Sequence, residues 1–263
     1  MTLQTLDLEK LLGNLKEAVL AAGREIMAVY DGEITVNHKD DASPQTEADI
    51  RGEKAILAHL DKTYPDIPVV AEEAAAAGET PDDFGDRFFL VDPLDGTKEF
   101  INRNGEFTVN IALVDKGVPV AGVVYAPAIG RLFMGARGHG ATETAVENGV
   151  PGAPRPIAIR PRPAGGLTVV ASRSHRSPET DTYLKDFEVA DLKSAGSSLK
   201  FCVVAAGEAD LYPRHGPTME WDTAAGHAVL LAAGGTVETL DGHPLTYAKS
   251  DFRNPYFIAK GNV

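Results

Sequence analysis

Apolar residues at Leu8, Leu11, Leu12, Leu15, Val19, Ala22 and Ile26 recur at the spacing of one helical face. The chain is therefore predicted to begin with a long amphipathic helix ending near Tyr30, where Asp31-Gly32 breaks the pattern. A second helix is predicted over 46–60, with Ala48, Ile56, Leu57 and Leu60 on its inner face. Short apolar runs then take over and predict strands over Val69–Ala71, 88–91, 107–114, 118–125 and Arg131–Ala136, with Asp115-Lys116-Gly117 as a hairpin turn. The stretch 147–166 is rich in Gly and Pro, including Pro151, Pro154, Pro156, Pro161 and Pro163. It is the expected boundary between an N-terminal half, 1–160, and a C-terminal half, 161–263. Beyond it strands (Leu167–Ser172, 190–192, 209–212, 236–240) alternate with helices (178–187, 198–207, 222–233), the pattern of a layered α/β arrangement.

Composition narrows the partners. The 263 residues are 43% hydrophobic and 24% charged, ordinary for a globular enzyme. A net charge of −13 argues against a nucleic acid polymer or an anionic membrane surface as a broad partner. It leaves room for a small anionic substrate, because bound divalent cations reverse the sign locally. The lone Cys202 excludes an internal disulfide and, inside the run Phe201-Cys202-Val203-Val204, reads as buried. Asp7, Glu9 and Glu17 interrupt the N-terminal apolar residues, so neither a signal peptide nor a membrane span is expected there. The expected compartment is the cytoplasm; peripheral association with the inner face of a membrane stays open, as does the oligomeric state.

The chemistry is concentrated in Asp92-Pro93-Leu94-Asp95-Gly96-Thr97, which follows the apolar run Phe88-Phe89-Leu90-Val91. Two carboxylates leave a strand end together, and Gly96, Thr97 and Lys98 offer consecutive backbone N–H groups if a helix starts there. Cations on the carboxylates and an anion on the amides would make a metal-dependent phosphate site. An Asx-turn capping a short helix is the plainer reading of the same residues. Glu72-Glu73 after the run Ile67-Pro68-Val69-Val70, and Trp221-Asp222 at the start of a small-residue helix, add further carboxylates at element ends. Such a set suits several Mg²⁺ ions.

The motif, with Ala71-Glu72-Glu73 upstream and Trp221-Asp222-Thr223-Ala224-Ala225-Gly226 downstream, resembles the lithium-sensitive, Mg²⁺-dependent inositol monophosphatase superfamily. The run from Gly96 to Val114, with Ser43-Pro44, Ser172-Arg173-Ser174-His175, Gly196-Ser197-Ser198-Leu199-Lys200-Phe201-Cys202 and Tyr212-Pro213-Arg214, is similar to one branch, the CysQ-type 3'(2'),5'-bisphosphate nucleotidases. The resemblance runs from about Lys39 to Pro255 and implies an α/β/α/β/α sandwich. It also implies that Glu72, Asp92, Asp95, Asp222 and the Leu94 carbonyl ligate two or three Mg²⁺ ions. Thr97 and Asp49 resemble the family's water-orienting pair, although a helix-capping acid is the plainer reading of Asp49. Glu72 belongs to the catalytic set as well, and the amides of Gly96 and Thr97 would hold the scissile phosphate.

Substrate contacts are expected from Glu72, Leu94, Asp95, Gly96, Thr97 and Asp222, from Gly196, Ser197 and Ser198, and from His175, Lys200 and Arg214 toward a second phosphate. A plain N-cap competes for Ser198, and solvation for Lys200 and Arg214. Ala71 stands where many relatives have Gly or Ser, and Ala74 to Ala77 leave a helix or a loop open. His227 and Trp221 read as core residues. The implied reaction is hydrolysis of the 3'-phosphate of adenosine 3',5'-bisphosphate to AMP, with 3'-phosphoadenylyl sulfate as a second substrate, in or beside sulfur assimilation. The alternatives are an inositol monophosphatase, a broad sugar-phosphate phosphatase or a non-catalytic nucleotide sensor. P-loop, EF-hand, H-E-x-x-H and G-x-S-x-G patterns are absent.

Overall fold

A computed structural model describes residues 6–38, 44–172 and 177–263. Asp7 caps α1 (Leu8–Tyr30) by accepting the Lys10 N–H at 3.0 Å, and the helix buries Leu11, Leu15, Val19, Ala22 and Ile26 as its spacing predicts. A ribbon of β1 (Val36–His38) and β2 (Pro44–Thr46) leads into α2 (Glu47–Thr63), which lies against α1. Then come β3 (Val69–Ala71), α3 (Glu72–Ala76), β4 (Arg87–Asp95) and α4 (Thr97–Ile101). A meander follows of β5 (Thr108–Asp115), β6 (Val118–Ala126), β7 (Arg131–Ala136) and β8 (Gly140–Glu147), with short β9 (Val150–Pro151) and β10 (Arg155–Ile157). Lys116 and Gly117 both have positive φ, 52° and 74°, the two-residue turn that a right-twisted hairpin favours.

The remaining elements are β11 (Leu167–Ser172), α5 (Pro178–Tyr183), β12 (Val189–Ala195), α6 (Leu199–Ala205), β13 (Leu211–Arg214), α7 (Glu220–Ala232), β14 (Thr236–Thr239) and β15 (Phe257–Lys260). Among the described residues one sheet runs β10-β8-β7-β6-β5-β4-β3, with β9 on β8, and a second runs β12-β11-β13-β15-β14. Both faces of the first sheet are covered, so its central strands β4, β5 and β6 are buried along almost their whole length rather than on alternate residues. Phe89 and Val91 of β4 point to the α1/α2 side, whereas Phe88 and Leu90 point to the core shared with α6, α7 and the second sheet. Leu184, after α5, covers the outer face of that second sheet with Leu167, Val169, Leu211 and Ile258. The result is the expected five layers, α/β/α/β/α.

Small residues bring α7 onto the first sheet. A Cβ at Gly122 would lie 2.5 Å from the Ala225 carbonyl oxygen, and one at Gly135 would lie 2.8 Å from the Val229 Cα. No other residue fits there without moving the helix, and that helix carries Asp222.

Several boundaries differ from expectation, each for a physical reason. Strand β4 runs through Asp95 instead of ending at Val91; its register against β5 shifts between Asp92 and Asp95, around Pro93, which has no N–H to give. The 147–166 stretch contains β9 and β10, short edge strands in which Pro151 and Pro156 cost no central ladder bond. β8 and β15 are missing from the sequence prediction, the latter a four-residue run too short to stand out. α7 starts at Glu220, two residues early, which puts Asp222 in the third position of the helix.

Candidate active site

Three of the predicted site acids, Asp49, Glu72 and Asp222, occupy first-turn positions of helices. Asp49 is third in α2: its Oδ2 accepts the Thr46 N–H and the Thr46 hydroxyl, each at 2.7 Å, while Thr46 Oγ1 accepts the Ala48 N–H at 3.2 Å. The plainer reading of Asp49 as a cap is therefore correct, and it uses only one oxygen. The other, Oδ1, faces the Thr97 hydroxyl at 3.3 Å, so the cap leaves it free to meet Thr97. Thr97 Oγ1 also lies 3.4 Å from the Leu94 carbonyl. Burial pushes Asp49 up to about 6, with the Thr46 bonds pulling the other way.

Glu72 opens α3 directly after β3, and its carboxyl is in hydrogen-bonding contact with that of Asp92. Asp92 Oδ1 accepts the Leu94 N–H at 2.9 Å, the Asx-turn weighed from sequence, here built into a strand bulge. Gly96 then adopts φ 91°, a left-handed conformation that suits glycine, and turns the chain into α4. Asp222, third in α7, accepts the Met219 N–H at 2.8 Å.

Glu72, Asp95, Gly96, Thr97, Ser197, Lys200, Tyr212, Arg214, Thr218 and Asp222 line one cleft of about 220 Å³. Burial, then the charges of Glu72, Asp95 and Asp222, push Asp92 well above the carboxylate range; burial, then Asp95 and Glu72, do the same to Asp222. Burial pushes Asp95 up to about 6, against the pull of Lys200. Among the described residues no three His, Cys, Asp or Glu side chains stand in a finished coordination shell.

On the opposite wall, Lys200 is neither solvated nor at the surface. Its Nζ donates to Ser197 O at 2.5 Å and Ala195 O at 3.3 Å, and lies over the Tyr212 ring. Burial lowers its pKa to about 8, and Asp95 opposes that shift. Ser197 Oγ and Arg214 Nε are buried without a hydrogen-bond partner, both on the cleft lining.

The hydroxyl of Ser198 departs from expectation: it is turned inward, 2.9 Å from Thr108 Oγ1 and donating to Asn110 Oδ1 at 2.6 Å, and it caps no helix. Its N–H is taken by Asp95. The Gly196 N–H is likewise occupied, by Glu106 Oε2 at 2.9 Å. Of this segment, Ser197, Lys200 and Phe201 line the cleft. His175 lies outside the described residues, as do Ser43 and Arg173-Ser174 of the family-like motifs.

Cys202 is buried with its thiol pushed up by burial, and His227, bonded to the Tyr247 hydroxyl at 3.0 Å, is pushed by burial down to about 3. Trp221 packs on Phe252. All three are structural, as expected.

Three supporting residues escaped the sequence reading. Glu53, on the buried face of α2 one turn after Asp49, accepts the N–H groups of Glu73 and Ala74. Its position among Ile56 and Leu60 at helical spacing was a usable signal. Glu220 is fully buried; it accepts from the Ala248 and Lys249 amides and pairs with Lys249 Nζ at 2.6 Å. Asn254 donates to Met219 O at 2.8 Å and Thr223 Oγ1 at 3.0 Å, fixing the start of α7 from 35 and 31 residues away. Nothing local in the sequence marks that contact.

Residues 7–256 match the model of the inositol monophosphatase family. The chain is 50% identical to the 3'(2'),5'-bisphosphate nucleotidase CysQ of Shigella flexneri, over 90% of this chain and 94% of that protein. It is 49% identical to CysQ of Escherichia coli K12 over the same shares. The crystal structure of CysQ from Bacteroides thetaiotaomicron superposes with a TM-score of 0.81 at 40% identity, covering 97% of this chain and 98% of that one. The inositol monophosphatase of Anabaena sp. PCC 7120 gives 0.75 at 26% identity, over 98% and 92%.

Proposed function

The chain belongs to the inositol monophosphatase family, and from that premise we propose that it is a Mg²⁺-dependent 3'(2'),5'-bisphosphate nucleotidase. It removes the 3'-phosphate of adenosine 3',5'-bisphosphate to give AMP and phosphate, and it accepts 3'-phosphoadenylyl sulfate as a second substrate. The observation that carries the reading is one cleft with desolvated carboxylates on one wall and the cations Lys200 and Arg214 on the other. The nucleotidase names of relatives at about half identity support the choice of substrate.

The donor set fits Mg²⁺. Glu72, Asp92, Asp95 and Asp222 offer hard carboxylate oxygens, the Leu94 carbonyl offers another, and their mutual repulsion is relieved by divalent charge. These five residues would hold two or three ions, which when bound supply an activated water and neutralise the leaving oxygen. Thr97 donates its hydroxyl proton to Asp49 Oδ1, which leaves an Oγ1 lone pair to accept from, and so orient, the attacking water. Asp49 does this ionised, with its other oxygen anchored by Thr46. The Gly96 and Thr97 amides take the scissile phosphate. Arg214, Lys200 and Ser197 take the second one, through the Arg214 Nε and Ser197 Oγ that otherwise lack partners.

Turnover of adenosine 3',5'-bisphosphate with Mg²⁺ in ¹⁸O-enriched water tests the reaction. The expected products are 5'-AMP without label and inorganic phosphate with one labelled oxygen. Formation of 3'-AMP, or label in the nucleotide, would contradict the assignment.

A further inference from the structure

Helix α3 begins without a cap of its own. Ala71 has no side-chain acceptor, so the first-turn N–H groups behind Glu72 need partners from elsewhere. Glu53 supplies them from α2: its Oε2 accepts the Glu73 N–H at 2.8 Å and its Oε1 the Ala74 N–H at 3.0 Å. These are the second and third amides of α3, the ones a Ser or Asp at the cap position ordinarily satisfies. Glu53 is only 6% exposed, and Gln45 Nε2 donates to the Glu73 carboxylate from β2 on the other side. Glu53 and Asp49 stand one turn apart on the same buried face of α2.

We propose that Glu53 is a positioning residue for Glu72: by holding both first-turn amides of α3, it fixes how Glu72 enters the cleft and locks it to the helix that carries Asp49. The inference rests on reading Glu72 as a metal ligand. A carboxylate suits the task because each of its two oxygens meets a separate N–H, and such charge-assisted bonds are short and directional. Glutamine keeps the shape but offers one acceptor; its amide N–H₂ would face the remaining backbone N–H, donor against donor. Aspartate is one methylene short and cannot span both amides from the same backbone position. Glu53 touches neither water nor phosphate in this scheme, so its loss acts through the metal site.

Calorimetric Mg²⁺ titration of the wild type, Glu53→Gln, Glu53→Asp and Glu53→Ala, without nucleotide, tests this. Melting in EDTA and kinetics at saturating Mg²⁺ accompany it. The expected result is Mg²⁺ affinity about tenfold or more weaker in all three variants, the range for loss of a group that orients a ligand. With saturating Mg²⁺ the KM for the nucleotide should be unchanged and kcat largely restored. If Glu53→Ala fails to fold, the Gln variant decides. Wild-type Mg²⁺ affinity in Glu53→Gln, with only a lower melting temperature in EDTA, would overturn the proposal and leave Glu53 a mere tie between helices. A wild type that binds no Mg²⁺ would instead overturn the metal reading of Glu72 itself.

Discussion

Asp95 meets both walls of the cleft: it faces Lys200, takes the Ser198 N–H and adds its charge to those acting on Asp92. Asp95→Asn is expected to cut kcat by more than the roughly 100-fold that losing an outer-shell partner brings, with the melting curve in EDTA still cooperative. Retained activity would remove Asp95 from the metal set. Thr97→Ala removes the hydroxyl that the proposed mechanism sets between Asp49 and the water, so kcat should fall by about 100-fold or more with KM little changed. An unchanged kcat would exclude the pair from the chemistry. Arg214→Ala should raise KM for bisphosphorylated nucleotides far more than for a monophosphate substrate; equal losses would mean that Arg214 does not read the second phosphate. The capping of α2 by Asp49 could be read from sequence because it follows from its place three residues after Thr46 at a helix start. The inward turn of Ser198 could not, since its partners Thr108 and Asn110 lie about ninety residues away.

At the scale of elements, α2 holds two desolvated acids, Asp49 at about 6 and Glu53 at about 7, against ordinary values of 3.8 and 4.5. The folded chain therefore binds these protons more tightly than the unfolded chain does. Their contribution to stability is fully present below the unfolded values and is lost as pH rises through about 6 to 7. In EDTA the melting temperature should fall across that window, and less steeply in Glu53→Gln; a rise would have the wrong sign. On the other side of the sheet, Gly122→Ala sets a methyl group against the α7 backbone. It should destabilise the fold by about 1–3 kcal/mol and lower activity by displacing Asp222. Wild-type melting and activity would show that α7 yields freely. Elements with a long periodic pattern or a continuous apolar run were legible, which covers α1, α2 and most of the first sheet. Edge strands β9 and β10 were not, because Pro and exposed polar residues are tolerated where no ladder bond is needed.

Across the whole molecule, the middle core draws on β4 to β8 and on β11, β13, β15, α6 and α7, and polar ties reinforce it. Arg131 on β7 pairs with Glu143 at 2.6 Å and with Glu208, just after α6, at 2.5 Å. The cleft lies where these layers meet, so its lining comes from distant parts of the chain: Glu72 from α3, Asp95 from β4, Lys200 from α6, Arg214 from β13 and Asp222 from α7. The family-like motifs revealed this convergence in outline; the supporting contacts of Glu53, Glu220 and Asn254 emerged only in three dimensions. The most direct measurement is phosphate release from adenosine 3',5'-bisphosphate and inositol 1-phosphate side by side, in Mg²⁺, in EDTA and in Mg²⁺ with lithium. Strong preference for the nucleotide, abolished by EDTA and suppressed by lithium, is the expected result. Preference for inositol 1-phosphate, or nucleotide hydrolysis that persists in EDTA, would contradict it.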